Sequence, residues 1–110
     1  MKRSDEEIKA MIKTCQDLRA VIPQHNYFGK DNHRALDISI EKLGKCLAMT
    51  EYQIEDSINA ILDAMDPDEA MESPTLQAYD WVLGNTDAEP ASKEDVQMFK
   101  TEKKRLEGKK

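Results

Sequence analysis

At 110 residues the chain has the length of one domain, or of one domain with a tail, and its 39% hydrophobic and 35% charged content fits neither a membrane protein nor a disordered one. No apolar run approaches the roughly 18 residues that cross a bilayer, and the opening Met1-Lys2-Arg3-Ser4-Asp5-Glu6-Glu7 turns acidic without a signal-peptide core; a cytoplasmic protein is expected. The net charge of −6 is unevenly spread: residues 1–50 sum to +2, residues 51–90 to −11 without a single Lys or Arg, and residues 91–110 to +3.

Ser4 followed by Glu7 is a capping box, and Ile8, Met11, Cys15, Leu18 and Ile22 then recur at alternating spacings of three and four, with Ile12 and Val21 widening the stripe. A first amphipathic helix over 4–22 follows, closed by Pro23. In the loop 23–30, Tyr27 and Phe28 are expected to pack back on the core. Asp31 or Asn32 caps a second helix on the Leu36, Ile40, Leu43, Leu47 stripe. Gly44 inside it costs roughly 1 kcal/mol against Ala, a cost that close packing there would offset.

Thr50 with Gln53 forms another capping box and starts a third helix on Ile54, Ile58, Ile61 or Leu62, and Met65. Asp66-Pro67-Asp68-Glu69 and Ser73-Pro74 are two successive start signals, each with proline at the first helical position. The fourth helix runs from Pro74 to Leu83 with Leu76, Tyr79, Val82 and Leu83 inward and Gly84 as its stop. Trp81 lies off that stripe, which leaves two equal expectations for it: a partly exposed contact residue, or a cover for the neighbouring helix. After a linker over 85–90, Ser92 with Asp95 caps a last helix carrying Val96, Phe99 and Leu106 and ending in basic Lys103-Lys104-Arg105. No run alternates as a strand does. The reading is an all-α bundle of four to five helices: a domain over 1–90 and a loosely docked C-terminal helix over 91–110.

Chemistry finds little to build on. His25, His33, Cys15 and Cys46 lack zinc-ligand spacing, and the cysteines are expected as small apolar fillers in a reducing compartment. Asp63, Asp66 and Asp68 lack the glycine and terminal glutamate of a calcium loop. Glu69 and Glu72 share one helix face, as magnesium-binding carboxylates do, but a second pair is missing. With no nucleophile motif and no phosphate-cradling loop, neither catalysis nor a metal or cofactor is expected.

The hairpin over about 36–65 resembles a repressor-type helix-turn-helix: small Gly44 between the helices, Ala48 at the turn, Met49 and Ile54 plugging the core, Thr50 capping the second helix. Thr50, Tyr52 and Gln53 would then face DNA, Gln53 reading adenine. Against it, Glu51, Glu55 and Asp56 share that helix, no cation there holds phosphates, and Ala48 stands where the left-handed turn favours Gly. Direct DNA binding is therefore the second reading.

Ile40 and Leu43, the restart Met49-Thr50-Glu51 with Ile54, the helix end Trp81-Val82-Leu83-Gly84, and Glu89-Pro90 with Ser92 together resemble short accessory proteins of bacteriophages and prophages. The likeness covers Leu36 to Phe99, just over half the chain. Such proteins share no assigned activity, so the resemblance implies a phage origin rather than a mechanism. The leading expectation is a non-catalytic interaction protein. Its acidic face, with Glu51, Glu55, Asp56, Asp63, Glu72, Asp80 and Trp81 as contact residues, would dock on a basic surface of a host nucleic-acid-binding protein; the alternative of nearly equal weight is a solvated surface that only keeps the protein soluble. A homodimer burying the 8–22 stripe against its symmetry mate is the third reading.

Overall fold

The computed structural model describes residues 1–22 and 27–108, and for residues 27–31, 71 and 106 the backbone alone. Helices α1 (Asp5–Val21), α2 (Tyr27–Cys46), α3 (Glu51–Ala64), α4 (Pro67–Met71), α5 (Pro74–Val82) and α6 (Lys93–Glu107) account for the regular structure, with no strand among the described residues. The fold is all-α, with six helices among the described residues where the sequence suggested four or five. Pro23, His25, the side chains of Tyr27 and Phe28, and that of Leu106 lie outside the described residues.

The helix starts are local chemistry. Ser4 Oγ accepts from the Glu7 amide at 3.2 Å, Ser73 Oγ from the Leu76 amide at 3.4 Å, and Ser92 Oγ from the Asp95 amide at 3.1 Å. Thr50 closes a complete box, its hydroxyl accepting from the Gln53 amide at 3.2 Å while Gln53 Oε1 accepts from the Thr50 amide at 2.9 Å. Each cap is worth about 1 kcal/mol against Ala. Asp66 makes no such side-chain bond, and the helix it opens is only five residues long.

Helix α2 begins at Tyr27 rather than at Asn32. The loop expected over 23–30 is helical from Tyr27 on: Gly29 within it costs only about 1 kcal/mol, too little to stop a 20-residue helix. Gly44 is also a correction. It is exposed, and a Cβ placed on it would meet nothing within 4 Å, so no close packing offsets its cost. Gly84 is the opposite case, with φ of +75°. There the Gly84 amide donates to Trp81 O at 3.1 Å and the Asn85 amide to Asp80 O at 2.9 Å, the paired bonds of a Schellman stop. Gly44→Ala is therefore expected to stabilise the fold by about 0.5–1 kcal/mol, and Gly84→Ala to destabilise it by about 1–2 kcal/mol. Urea denaturation of the two variants would show midpoints moving in opposite directions.

The helices pack in the order α6–α1–α2–α5–α3, with the short α4 against both α3 and α5. The core runs along this series: Ile8, Met11, Cys15 and Leu18 from α1, Leu36, Leu43 and Cys46 from α2, Leu76, Tyr79 and Val82 from α5, Ile54 and Ile58 from α3. Ile8, Met11, Cys15, Leu18 and Ile22 of the 8–22 stripe are thus covered within the chain, where α1 packs on α2 and α6, while Ile12 and Val21 at its edge stay half-buried. Val96 is buried and Phe99 partly so, seating α6 along α1. His33, also buried, places Nε2 2.8 Å from Ile22 O; an N–H on that nitrogen donates to the carbonyl and ties α2 to the end of α1.

Burial sets the chemistry of the cysteines. Cys15 and Cys46 are free, wholly buried thiols, and desolvation pushes both up to about 11. Burial, followed by the neighbouring Cys46, also raises Tyr79. All three groups keep their protons more tightly in the folded chain than in the unfolded one, so their stabilising contribution is complete below about pH 8.5 and declines as pH rises toward 11. Thiol titration with an aromatic disulfide at pH 8 is expected to be slow in the native protein and fast in urea, and the urea midpoint to fall above about pH 9.

Candidate acidic interaction face

Helix α3 rests on the rest of the molecule through Ile54 and Ile58, with Ile61 partly covered. At 100° per residue, Tyr52, Glu55, Asp56, Asn59, Leu62 and Asp63 occupy the opposite arc, roughly 120° wide. All six are exposed, and Tyr52 at 77% and Leu62 at 49% are among the most exposed large hydrophobics of the described chain. The outer face therefore mixes three carboxylates with an aromatic ring and an aliphatic side chain.

The ion pairs of the fold lie elsewhere. They join Arg3 to Glu7, Lys13 to Asp17, Arg19 to Asp37, Lys42 and Lys45 to Glu41, and Arg105 to Glu102. Of the eleven carboxylates between residues 51 and 90, Glu51 alone has such a partner among the described residues, the Met1 amine at 2.9 Å. The other ten make no ion pair among the described residues.

The expected contact residues divide accordingly. Glu55, Asp56 and Asp63 share the outer stripe of α3. Glu51 begins the helix, half-buried and paired, and Glu72 caps the end of α4, exposed. Asp80 lies on α5, half-buried, its carboxylate accepting from the Asn85 amide group at 3.4 Å. Trp81 is a correction: it is 5% exposed, not a surface hot spot. The Arg3 guanidinium lies over its ring at 4.4 Å, and Arg3 Nε donates to its carbonyl at 2.6 Å. The sequence stripe assigned α5 one inward face, but Leu76, Ala78, Tyr79, Trp81 and Val82 bury nearly its whole circumference. The extra cover comes from the N-terminal segment, whose Arg3 amide donates to Val82 O at 2.7 Å, and periodicity within α5 carries no trace of it.

Two of the three DNA-facing residues are committed to the cap. Thr50 Oγ1 and Gln53 Oε1 bond each other's backbone amides, so Gln53 has only its amide nitrogen to present; Tyr52 remains exposed. The turn over 47–50 contains no residue with positive φ, unlike the left-handed turn of the repressor motif, and Gly44 faces open space instead of a helix contact. The hairpin keeps the connectivity of that motif and not its packing.

A cavity of about 670 Å³ lies between α1 and the start of α6, with Met11, Trp81 and Ala91 in its wall and Glu7, Asp87 and Glu94 around it. No group of three or more His, Cys, Asp and Glu side chains among the described residues is arranged to hold a metal ion. No described helix is long and apolar enough to cross a membrane. Compared with family models, curated proteins and solved structures, the chain matches none.

Proposed function

We propose that this chain is a non-catalytic interaction protein, of phage origin as its resemblance implies, whose outer α3 face docks on a basic, nucleic-acid-binding surface of a host protein. One observation carries the reading: Glu55, Asp56 and Asp63, with no ion partner among the described residues, lie on a single exposed stripe that also displays Tyr52 and Leu62. Carboxylates that serve only solubility need no neighbouring exposed aromatic. A face combining charge with an aromatic and an aliphatic anchor has the composition of a contact surface.

Charge density narrows what the face imitates. Glu55 to Asp63 spans about 12 Å of helix and carries three charges, about one per 6 Å, sparser than the one per ~1.7 Å of a duplex and nearer the one per ~3.4 Å of either of its strands. The partner surface that fits is a basic groove for one phosphodiester strand, with a pocket for a stacked base that Tyr52 can enter.

Affinity capture from a bacterial lysate at low and at high salt tests this, with wild-type and Glu55→Lys/Asp56→Lys/Asp63→Lys baits side by side. The expected partner is a nucleic-acid-binding protein retained by wild type at low salt only and competed off by single-stranded oligonucleotide. Equal capture by both baits would refute the docking face.

A further inference from the structure

The ends of the packing order differ in charge. Residues 51–72, covering α3 and α4, hold eight carboxylates and no base. At the other end, Lys100, Lys103 and Lys104 of α6 line a groove of about 610 Å³ together with Gln97, Thr101 and Glu107 of the same helix and half-buried Val21 of α1, a net of two positive charges. None of these three lysines has a carboxylate partner among the described residues; the ion pair on that helix is Arg105 with Glu102. Helix α6 packs on α1 and α3 on α5, so the fold places the two surfaces on different sides of the molecule instead of against each other.

We infer that the groove between α1 and α6, floored by Val21 and walled by Lys100, Lys103 and Lys104, receives the outer face of α3 from a second copy of this chain. The inference rests on the same α3 face as the docking reading and names one occupant for it. Glu55, Asp56 and Asp63 meet the three lysines, and Leu62, 49% exposed, meets the side chain of Val21. The net charge of −6 does not forbid the contact. The molecule is 53 Å long while the screening length at 0.1 M salt is about 10 Å, so each contact is governed by the charges near it and the distant acidic end of the second copy is screened.

Size and symmetry fix how the association behaves. A 14-residue helix offers a strip about 21 Å long and roughly 10 Å wide, well short of the ~800 Å² per partner of a standard interface. The contact is therefore weak and exchanges rapidly. It joins two different surfaces, so each added copy leaves one of each exposed and growth does not stop at a dimer unless a ring closes.

Sedimentation velocity and light scattering on the full chain test this over roughly two decades of concentration, at about 0.05 M and about 0.5 M salt. The average mass is expected to rise with concentration at low salt and to stay monomeric at high salt. Lys100→Glu/Lys103→Glu/Lys104→Glu and Glu55→Lys/Asp56→Lys/Asp63→Lys should each be monomeric alone, and an equimolar mixture should associate again, since each variant retains one native surface. Should a triple variant fail to fold, the single reversals Lys103→Glu and Asp56→Lys carry the same mixing test. A wild type that stays monomeric at low salt, association unchanged by the lysine reversals, or a mixture that remains monomeric would each overturn the inference. The lysine variant keeps its α3 face, so undiminished host-partner capture by it would leave the docking reading standing whatever becomes of self-association.

Discussion

Trp81→Ala is expected to lower the unfolding free energy by about 3–5 kcal/mol, the range for removing a buried indole, with up to about 1 kcal/mol more from the lost Arg3 contact. The ring is 5% exposed, and the guanidinium at 4.4 Å holds the N-terminal segment across the end of α5. Arg3 there also serves as a cation at a helix C-terminus, bonding Trp81 O through Nε while its amide takes Val82 O. Domains of this size have about 5–15 kcal/mol in total, so the substitution removes a large share. The midpoint should fall by roughly 12–40 °C, from about 4–8 °C per kcal/mol. Thermal unfolding followed by far-UV circular dichroism reads the loss without needing the tryptophan itself. Trp81→Phe should recover more than half, and a double-mutant cycle with Arg3→Ala should give a coupling near 0.5–1 kcal/mol. A drop below about 1 kcal/mol for Trp81→Ala would mean the N-terminal strap is not seated as described.

Trp81 also marks where the sequence stopped being informative. Its burial depends on residues 1–3, some 80 positions away, while a stripe count sees only i±3 and i±4 neighbours. Gly44 failed for the same reason: a glycine inside a helix suggests close packing, but whether a neighbour arrives is decided by how α2 sits on α1 and α5. Signals contained within four residues fared better. Ser4, Thr50, Ser73 and Ser92 all accept the amide bonds their spacing implied, and Gly84 takes the left-handed stop. The stripes of α1 and α3 were legible because each helix buries one face only; α5, covered nearly all round, was misread. The acidic face was half legible. Residue types gave the charge, but the division of seven expected contacts into Glu55, Asp56 and Asp63 on one stripe, Glu51 paired and Trp81 buried required the packing.

The three remaining acids make a prediction whose two readouts pull apart. Glu55→Lys/Asp56→Lys/Asp63→Lys changes exposed side chains that touch no ion partner, where single substitutions stay within about 0.5 kcal/mol. Asp56 and Asp63 lie seven residues apart, with Glu55 beside the first and no base between residues 51 and 90. Introducing lysine relieves like-charge repulsion along that face, and stability should hold or rise slightly. Binding should move much further. At a complementary basic surface each reversal both removes an attraction and adds a repulsion, about 1 kcal/mol per site for partly screened charges. Together they amount to about 3 kcal/mol, or roughly a hundredfold weaker binding. The neutral set Glu55→Gln/Asp56→Asn/Asp63→Asn removes only the attraction and should lose about tenfold. Titration calorimetry against the captured partner measures both, and the slope of log affinity against log salt should flatten from wild type to the neutral set. Neutral and reversed variants of equal affinity would mean that these carboxylates face solvent in the complex, leaving Tyr52 and Leu62 to account for whatever binding remains.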